Sequence, residues 1–100
     1  MNMQQMMAQA QKMQRELQKA IRALEEKEFT ITKGGAVTVK MYGSNRITSI
    51  TIDEDAFDKE NKEMVEEMIR DGLNELFSQI DELAAEIDEK IAGKSGGLGF

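Results

Sequence analysis

The sequence predicts an α+β domain in two layers: a long helix, a three-stranded antiparallel meander and a second long helix (α-β3-α). The stretch 29–52 is rich in β-branched residues and alternates apolar and polar side chains, which is typical of half-buried strands. Two turn signals, Gly34-Gly35 and Gly43-Ser44-Asn45, divide this stretch into three strands. The segments on either side repeat apolar residues every three or four positions, which is the helical period.

The first helix is expected over residues 2 to about 28, because this segment has no glycine or proline and only one β-branched residue, Ile21. Its apolar residues alternate at spacings of three and four and form a narrow seam. The seam consists of Met3, Met6, Ala10, Met13, Leu17, Ala20 and Leu24. Packing onto the protein's own sheet or onto another helix is the simplest interpretation. The methionines at its front are adaptable side chains, so the seam is also a candidate contact for a partner protein.

A row of cations, the basic stripe, lies nearly opposite the seam. It comprises Lys12, Arg15, Lys19 and Arg22, which fall on one side of the helix at about 100° per residue. A solvated face is the plain alternative. The charge distribution favours a binding role, since residues 1–52 hold eight Lys/Arg against four Asp/Glu, a net of +4. Residues 53–100 hold five against fifteen, a net of −10, and a partner meets one surface rather than the total of −6.

The register of the meander follows from keeping apolar residues on one face. A two-residue first turn would put the apolar residues of the first two strands on opposite faces. A three-residue turn with a left-handed glycine brings Phe29 and Ile31 onto the face of Val37 and Val39. A four-residue second turn then pairs Val39 with Ile50. The other face carries polar residues: Thr30, Thr32, Thr38, Lys40, Ser49 and Thr51.

The second helix is expected from about residue 61 to residue 91, with Asp58 or Asn61 as its N-cap and Gly93 beyond its end. The acidic run 53–55 does not fit a calcium loop, because Asp58 and Met64 stand where that loop needs glycine and glutamate. Gly72 costs the helix about 1 kcal/mol relative to alanine, and the close approach of a neighbouring helix is the expected compensation, with simple tolerance of the glycine as the alternative. Residues 1–92 are expected to form a single domain, and 93–100 a flexible glycine-rich tail.

Composition excludes several classes of function. The chain has no cysteine and no histidine, which excludes disulfides, thiol chemistry, Cys/His zinc sites and His-based triads. No apolar run approaches the roughly 20 residues that cross a bilayer, so a cytoplasmic protein without a membrane partner is expected. No catalytic constellation or phosphate-cradling glycine motif is present, so we expect no enzyme, cofactor, metal or small-molecule substrate.

The length of the helices predicts a homodimer. Helices of roughly 27 and 31 residues are rods of about 40 and 46 Å, whereas a compact 100-residue domain has a radius of gyration of about 13 Å. Three short strands cannot cover rods of that length, so a second copy is expected to bury part of the apolar stripes. The candidate interface residues are Met6, Met13, Leu17, Leu73, Leu76 and Ile80.

Four segments carry a resemblance to a known family. They are the opening MQQMMAQAQKMQRELQKA, then GGAVTVKMYGSNRITSITID at 34–53, KEMVEEMIRDGLNEL at 62–76, and GGLG from Gly96. In their order and spacing they resemble the YbaB/EbfC family of bacterial nucleoid-associated proteins. The family often has proline after the aspartate that matches Asp53, and again in the tail, whereas this chain has none.

The resemblance implies a tweezer-like homodimer that binds double-stranded DNA with low sequence selectivity, organises the nucleoid in the cytoplasm and influences transcription. The basic stripes of the two first helices would then contact duplex phosphates. The sequence has no helix-turn-helix signature and no aromatic platform for bases. The main alternative is an adaptor whose helical arms grip a protein partner through Met3, Met6 and Met7.

Overall fold

The structure, a computed structural model, describes residues 2–94 of the chain. The elements in chain order are α1 (Met3–Glu26), β1 (Glu28–Lys33), β2 (Val37–Tyr42), β3 (Ile47–Ile52) and α2 (Lys62–Lys94). Two short 3₁₀ turns, Glu54–Ala56 and Lys59–Asn61, connect β3 to α2. The strands form one antiparallel sheet in the order β1-β2-β3. The predicted α-β3-α fold is confirmed.

Helix α1 begins with a capping box. The Asn2 side chain accepts a hydrogen bond from the backbone N–H of Gln5 at 2.8 Å, and the Gln5 side chain accepts one from the backbone N–H of Asn2 at 3.3 Å. This pair satisfies two of the N–H groups that a helix start leaves unpaired. The helix ends where Lys27 turns extended, with ψ 135°, and leads directly into β1.

The first turn of the meander has the predicted three-residue form. Gly34 and Gly35 both have positive φ, +56° and +66°, a backbone conformation that favours glycine. The backbone N–H of Ala36 donates to the Lys33 carbonyl at 2.9 Å and closes the turn. Ile31 consequently pairs with Val39, on one face of the sheet, as predicted.

The second turn gives the predicted pairing of Val39 with Ile50, followed by an irregularity that was not predicted. The register shifts between Lys40 and Met41, so Met41 lies opposite Ile47 and Thr48 becomes an extra residue in β3. An extra residue of this kind bends the strand and increases its twist.

The core lies between α2 and the apolar face of β1 and β2. Val37, Val39 and Met41 of β2 are completely buried, and Leu76 of α2 is buried against them. Gly72 faces the sheet, where a Cβ would make an ordinary contact of 3.5 Å with the Val39 side chain. The expectation that a neighbouring helix approaches Gly72 is therefore wrong, since it is the sheet that comes close.

Helix α2 starts close to the predicted position but ends later than predicted. Asp58 caps the preceding 3₁₀ turn, accepting from the backbone N–H of Glu60 at 3.1 Å, and α2 continues from that turn at Lys62. At the other end the helix passes through Gly93 to Lys94, so the predicted stop at Gly93 is wrong. Gly93 is not among the glycines with positive φ, the conformation by which glycine ends a helix. The rest of the predicted tail, 95–100, lies outside the described residues.

The molecule is elongated, with principal extents of 69 × 21 × 14 Å and a radius of gyration of 19.7 Å. A compact chain of this length has a radius of gyration of about 13 Å. The helices therefore extend well beyond the sheet, as their predicted lengths required. Within residues 2–94, neither helix has a stretch apolar enough to cross a membrane.

Candidate nucleic-acid interface

The N-terminal part of α1 projects from the body of the protein. Every residue from 2 to 12 is exposed. Burial begins at Met13 and Leu17, which are half-buried, and ends with Leu24, which is buried at the root of the helix. The predicted apolar seam is thus covered by its own chain only over the second half of α1.

The basic stripe lies on the exposed side of this helix. Lys12, Arg15, Lys19 and Arg22 are all exposed. Arg15, Lys19 and Arg22 line one shallow groove on the surface of α1 together with Gln18, Ala23 and Glu26. Lys12 lies one turn closer to the N-terminus, about 4.5 Å along the axis from Arg15 at 1.5 Å per residue. The structure therefore places all four predicted cations along one row.

None of the four stripe cations forms an ion pair within the part of the chain that is described. The ion pairs there are Lys33–Glu75, Lys62–Glu66 and Arg70–Asp71. All three involve residues of α2. The stripe cations are accordingly available to an external anion without first breaking an internal contact.

The charge of α2 is of the opposite sign. Its exposed surface is rich in Asp and Glu, and its first cation, Lys62, lies 2.6 Å from Glu66 one turn along. The hydrogen bond that Lys62 donates to the Glu66 carboxylate, and the negative charge of that carboxylate, raise the pKa of Lys62. The four stripe cations form one row on α1, whereas the second half of α2, which packs beside the root of α1, is mainly acidic, so the two neighbouring helices differ in electrostatic character.

The predicted interface residues fall into two groups. Met6 is 51% exposed, and Met13, Leu17 and Leu73 are half-buried. Leu76 and Ile80 belong to the core of their own chain, with 0% and 3% of their surface exposed. Because α2 lies directly on the sheet, these last two have almost no surface to offer a partner in this arrangement of the single chain.

A second apolar surface was missed by the sequence analysis. We call it the apolar patch, formed by Ile47, Ile50, Ile52, Ala56, Phe57, Met64, Val65 and Ile69. Phe57 is 80% exposed, and Ile47 and Ile50 are 44% and 43% exposed. The patch exists because α2 packs on β1 and β2 and leaves the apolar face of β3 uncovered.

Part of the apolar patch is concave. A shallow cavity of about 460 Å³ lies between the end of β3 and the start of α2, with Phe57 at its edge. Charged residues of both signs stand around it: Asp58, Lys59, Lys62 and Glu66. Phe57 itself was the available signal in the sequence, since it is a large apolar residue within the acidic segment 53–60 and belongs to neither helical seam.

The acidic run after the sheet folds into the first 3₁₀ turn, Glu54–Ala56. Within residues 2–94, no three acidic side chains are grouped as they are around a bound metal ion.

Comparison with known proteins identifies relatives over almost the whole chain. A model of the YbaB/EbfC DNA-binding family matches residues 1–95. A nucleoid-associated protein of Clostridium novyi (strain NT) is 43% identical over 94 residues, which cover 93% of this chain and 82% of that protein. One from Ruminiclostridium cellulolyticum is 39% identical over 98 residues, covering 97% and 85% of the two chains. One from Mycoplasmopsis pulmonis is 38% identical over 100 residues, covering 100% and 97%.

Proposed function

The chain belongs to the YbaB/EbfC DNA-binding family, and from that premise we propose that it is a nucleoid-associated protein that binds duplex DNA through the basic stripe of α1. The family is one of DNA-binding proteins and not of enzymes. The observation that carries the proposal is a row of four exposed cations, Lys12 to Arg22, with no ion pair in the described structure. The protein would act at the nucleoid, in the cytoplasm, and affect gene expression there.

The physical basis of binding is the release of counterions from the DNA. Each phosphate that a lysine or arginine neutralises releases condensed cations, so affinity falls steeply as salt increases. Such contacts go to the backbone and carry no direct sequence information, which gives low sequence selectivity. The acidic surface of α2 is repelled by the same phosphates, so α1 approaches the duplex first.

The proposed complex contains two copies of the chain, joined through the apolar patch. Phe57 is 80% exposed beside other apolar residues of the patch, and exposed apolar patches of this kind mark interaction surfaces in soluble proteins. In a two-fold dimer the same patch meets itself. The rim suits this arrangement, because Lys59 and Lys62 of one copy can face Asp58 and Glu66 of the other.

A dimer of this kind presents two α1 helices, each with its own stripe. Met6 and the half-buried seam residues Met13, Leu17 and Leu73 remain further candidate contacts between the copies. Sedimentation equilibrium at micromolar concentration is the test of assembly. A mass of two chains is expected, and a single-chain mass over the whole concentration range would contradict the dimer.

Fluorescence anisotropy on two unrelated duplexes, repeated across a range of salt concentrations, tests DNA binding. If six to eight phosphates are engaged by a dimer, the log–log slope of affinity against salt is about −5 to −7. Similar affinities are expected when the two duplexes have the same A·T content. A slope near zero, or no binding at low salt, would contradict the proposal.

The second candidate is a protein-binding adaptor that uses the methionines at the free end of α1. The observation that favours it is their exposure: Met3 is 76%, Met6 51% and Met7 56% exposed. Changing these three to serine separates the two functions. If the stripe is the binding surface, the variant is expected to bind DNA with unchanged affinity. If the protein is an adaptor, the variant is expected to lose its protein partner, and neither the variant nor the unaltered protein is expected to bind DNA at moderate salt.

A further inference from the structure

We propose that a line of glutamines beside the basic stripe contacts base edges in the DNA groove and gives the protein a modest preference for sites rich in A·T pairs. The line consists of Gln4, Gln11 and Gln18. The inference rests on the proposed function, because it requires α1 to lie on the duplex. The glutamines would give α1 a surface that contacts bases, in addition to the cations, which contact only phosphates.

The spacing of the three glutamines keeps them on one side of the helix. At seven-residue intervals they lie about 10 Å apart along the axis and drift by only about 20° per step. At 100° per residue, the centre of this line is about 60° from the centre of the basic stripe. When the cations of α1 contact the phosphates of the DNA backbone, the side of the helix that carries the glutamines therefore faces the DNA groove.

The structure leaves these amides available. Helix α1 is continuous from Met3 to Glu26, and all three glutamines are exposed. Their side chains make none of the hydrogen bonds found among the described residues, in contrast to Gln5, which caps the helix. Gln18 lines the same groove as Arg15, Lys19 and Arg22, so one amide is already part of the cationic surface.

Up to residue 24 of α1, the two flanks of the basic stripe are chemically different. Glu16 lies on the flank opposite the glutamines, about 80° from the centre of the stripe at 100° per residue. A carboxylate next to phosphates is repelled, whereas an amide is neutral. This difference favours the orientation in which Glu16 points away from the DNA and the glutamines point into the groove.

The amide group matches adenine in particular. A glutamine side chain can accept a hydrogen bond from N6 of adenine while donating one to N7. The major groove is about 12 Å wide and admits an α-helix, which is about 10–12 Å in diameter with its side chains. Lysine and arginine bound to phosphate do not distinguish base pairs, so any preference has to come from groups such as these amides.

The test compares two duplexes of equal length, one with an A·T-rich centre and one with a G·C-rich centre, by fluorescence anisotropy at one salt concentration. The variant changes Gln4, Gln11 and Gln18 together to alanine, which keeps the net charge and has a higher helix propensity than glutamine. Gln9→Ala is the matched control, because Gln9 lies on the opposite flank of the stripe. Circular dichroism verifies that each variant is as helical as the unaltered protein.

The unaltered protein and Gln9→Ala are expected to prefer the A·T-rich duplex by about fivefold or more. The triple variant is expected to bind both duplexes with equal affinity. The inference is overturned if the triple variant keeps the preference, or if the unaltered protein shows none. Failure of the unaltered protein to bind either duplex at low salt would instead refute the proposed function, so the two failures are distinguishable.

Discussion

Gly43 packs against the backbone of Leu24: a Cβ at Gly43 would overlap the Leu24 carbonyl oxygen and lie 2.7 Å from the carbonyl carbon. Around this contact the turn between β2 and β3 holds the end of α1. The backbone N–H of Gly43 donates to the Lys27 carbonyl at 2.8 Å, and that of Ser44 donates to the Glu25 carbonyl at 3.2 Å. The direction of α1, and with it of the basic stripe, is therefore set by backbone contacts at its root.

Gly43→Ala is expected to destabilise the protein by about 1–3 kcal/mol or more, because the new methyl group must displace the backbone of α1. Urea denaturation measures the change. Gly93→Ala is the control, since its Cβ would meet only the Glu89 side chain at 4.0 Å. This second change lies within α2 and is expected to raise stability by about 0.5–1 kcal/mol. Equal stabilities of the two variants would contradict the tight contact at Leu24.

Leu76→Ala is expected to cost about 2–5 kcal/mol of unfolding free energy, because Leu76 is completely buried against β2. Chemical denaturation at fixed protein concentration measures it. Met3→Ala removes a side chain that is 76% exposed and is expected to change stability by less than about 0.5 kcal/mol. A small effect of Leu76→Ala would show that α2 does not pack on the sheet as described.

Phe57→Ser is expected to weaken the dimer while leaving the fold of each chain intact, because Phe57 is 80% exposed in the single chain. Sedimentation equilibrium measures the shift toward monomer. Tyr42→Ser is the matched control, since Tyr42 is an exposed aromatic residue, 37% exposed, outside the apolar patch. A dimer that is unaffected by the loss of Phe57 would place the interface elsewhere.

The ion pair between Lys33 of β1 and Glu75 of α2 is expected to contribute little. The two side chains are 32% and 45% exposed, and ion pairs in contact with solvent contribute roughly 0–1 kcal/mol. Thermal unfolding of Lys33→Ala and Glu75→Ala, at low and at high salt, measures the contribution. A loss well above 1 kcal/mol from either change would show that this pair does more than a surface contact.

Much of the fold could be predicted because it follows from the turn residues and from the alternation of apolar and polar side chains. The glycines at 34 and 35 fixed the length of the first turn, and the need to keep apolar residues together then fixed the pairing of Ile31 with Val39. The bulge at Thr48 was not predictable in this way, since no glycine or proline marks it. The stop at Gly93 was wrong because a glycine near a helix end can remain helical, and only its backbone φ decides.

The candidate site could also be predicted only in part from the sequence. The basic stripe could be read from helical periodicity, because exposed positions on a helix depend only on their own spacing. The burial of Leu76 and Ile80 in the core of their own chain could not be predicted in this way, because periodicity does not report which side of α2 meets the sheet. The exposure of Phe57 depends on how the connection between β3 and α2 folds, so it could be recognised only from the structure.

Binding of duplex DNA by two charge-matched variants tests the account most directly. One variant changes Lys12, Arg15, Lys19 and Arg22 to alanine. The control changes four exposed cations outside α1 to alanine: Lys40, Arg46, Arg70 and Lys90. Each lowers the net charge of the chain from −6 to −10.

The stripe variant is expected to remain dimeric and to lose detectable binding in fluorescence anisotropy at moderate salt. The control is expected to bind within a few-fold of the unaltered protein and to keep its salt dependence. Unchanged affinity in the stripe variant, or an equal loss in both variants, would contradict the claim that DNA is bound by the stripe on α1.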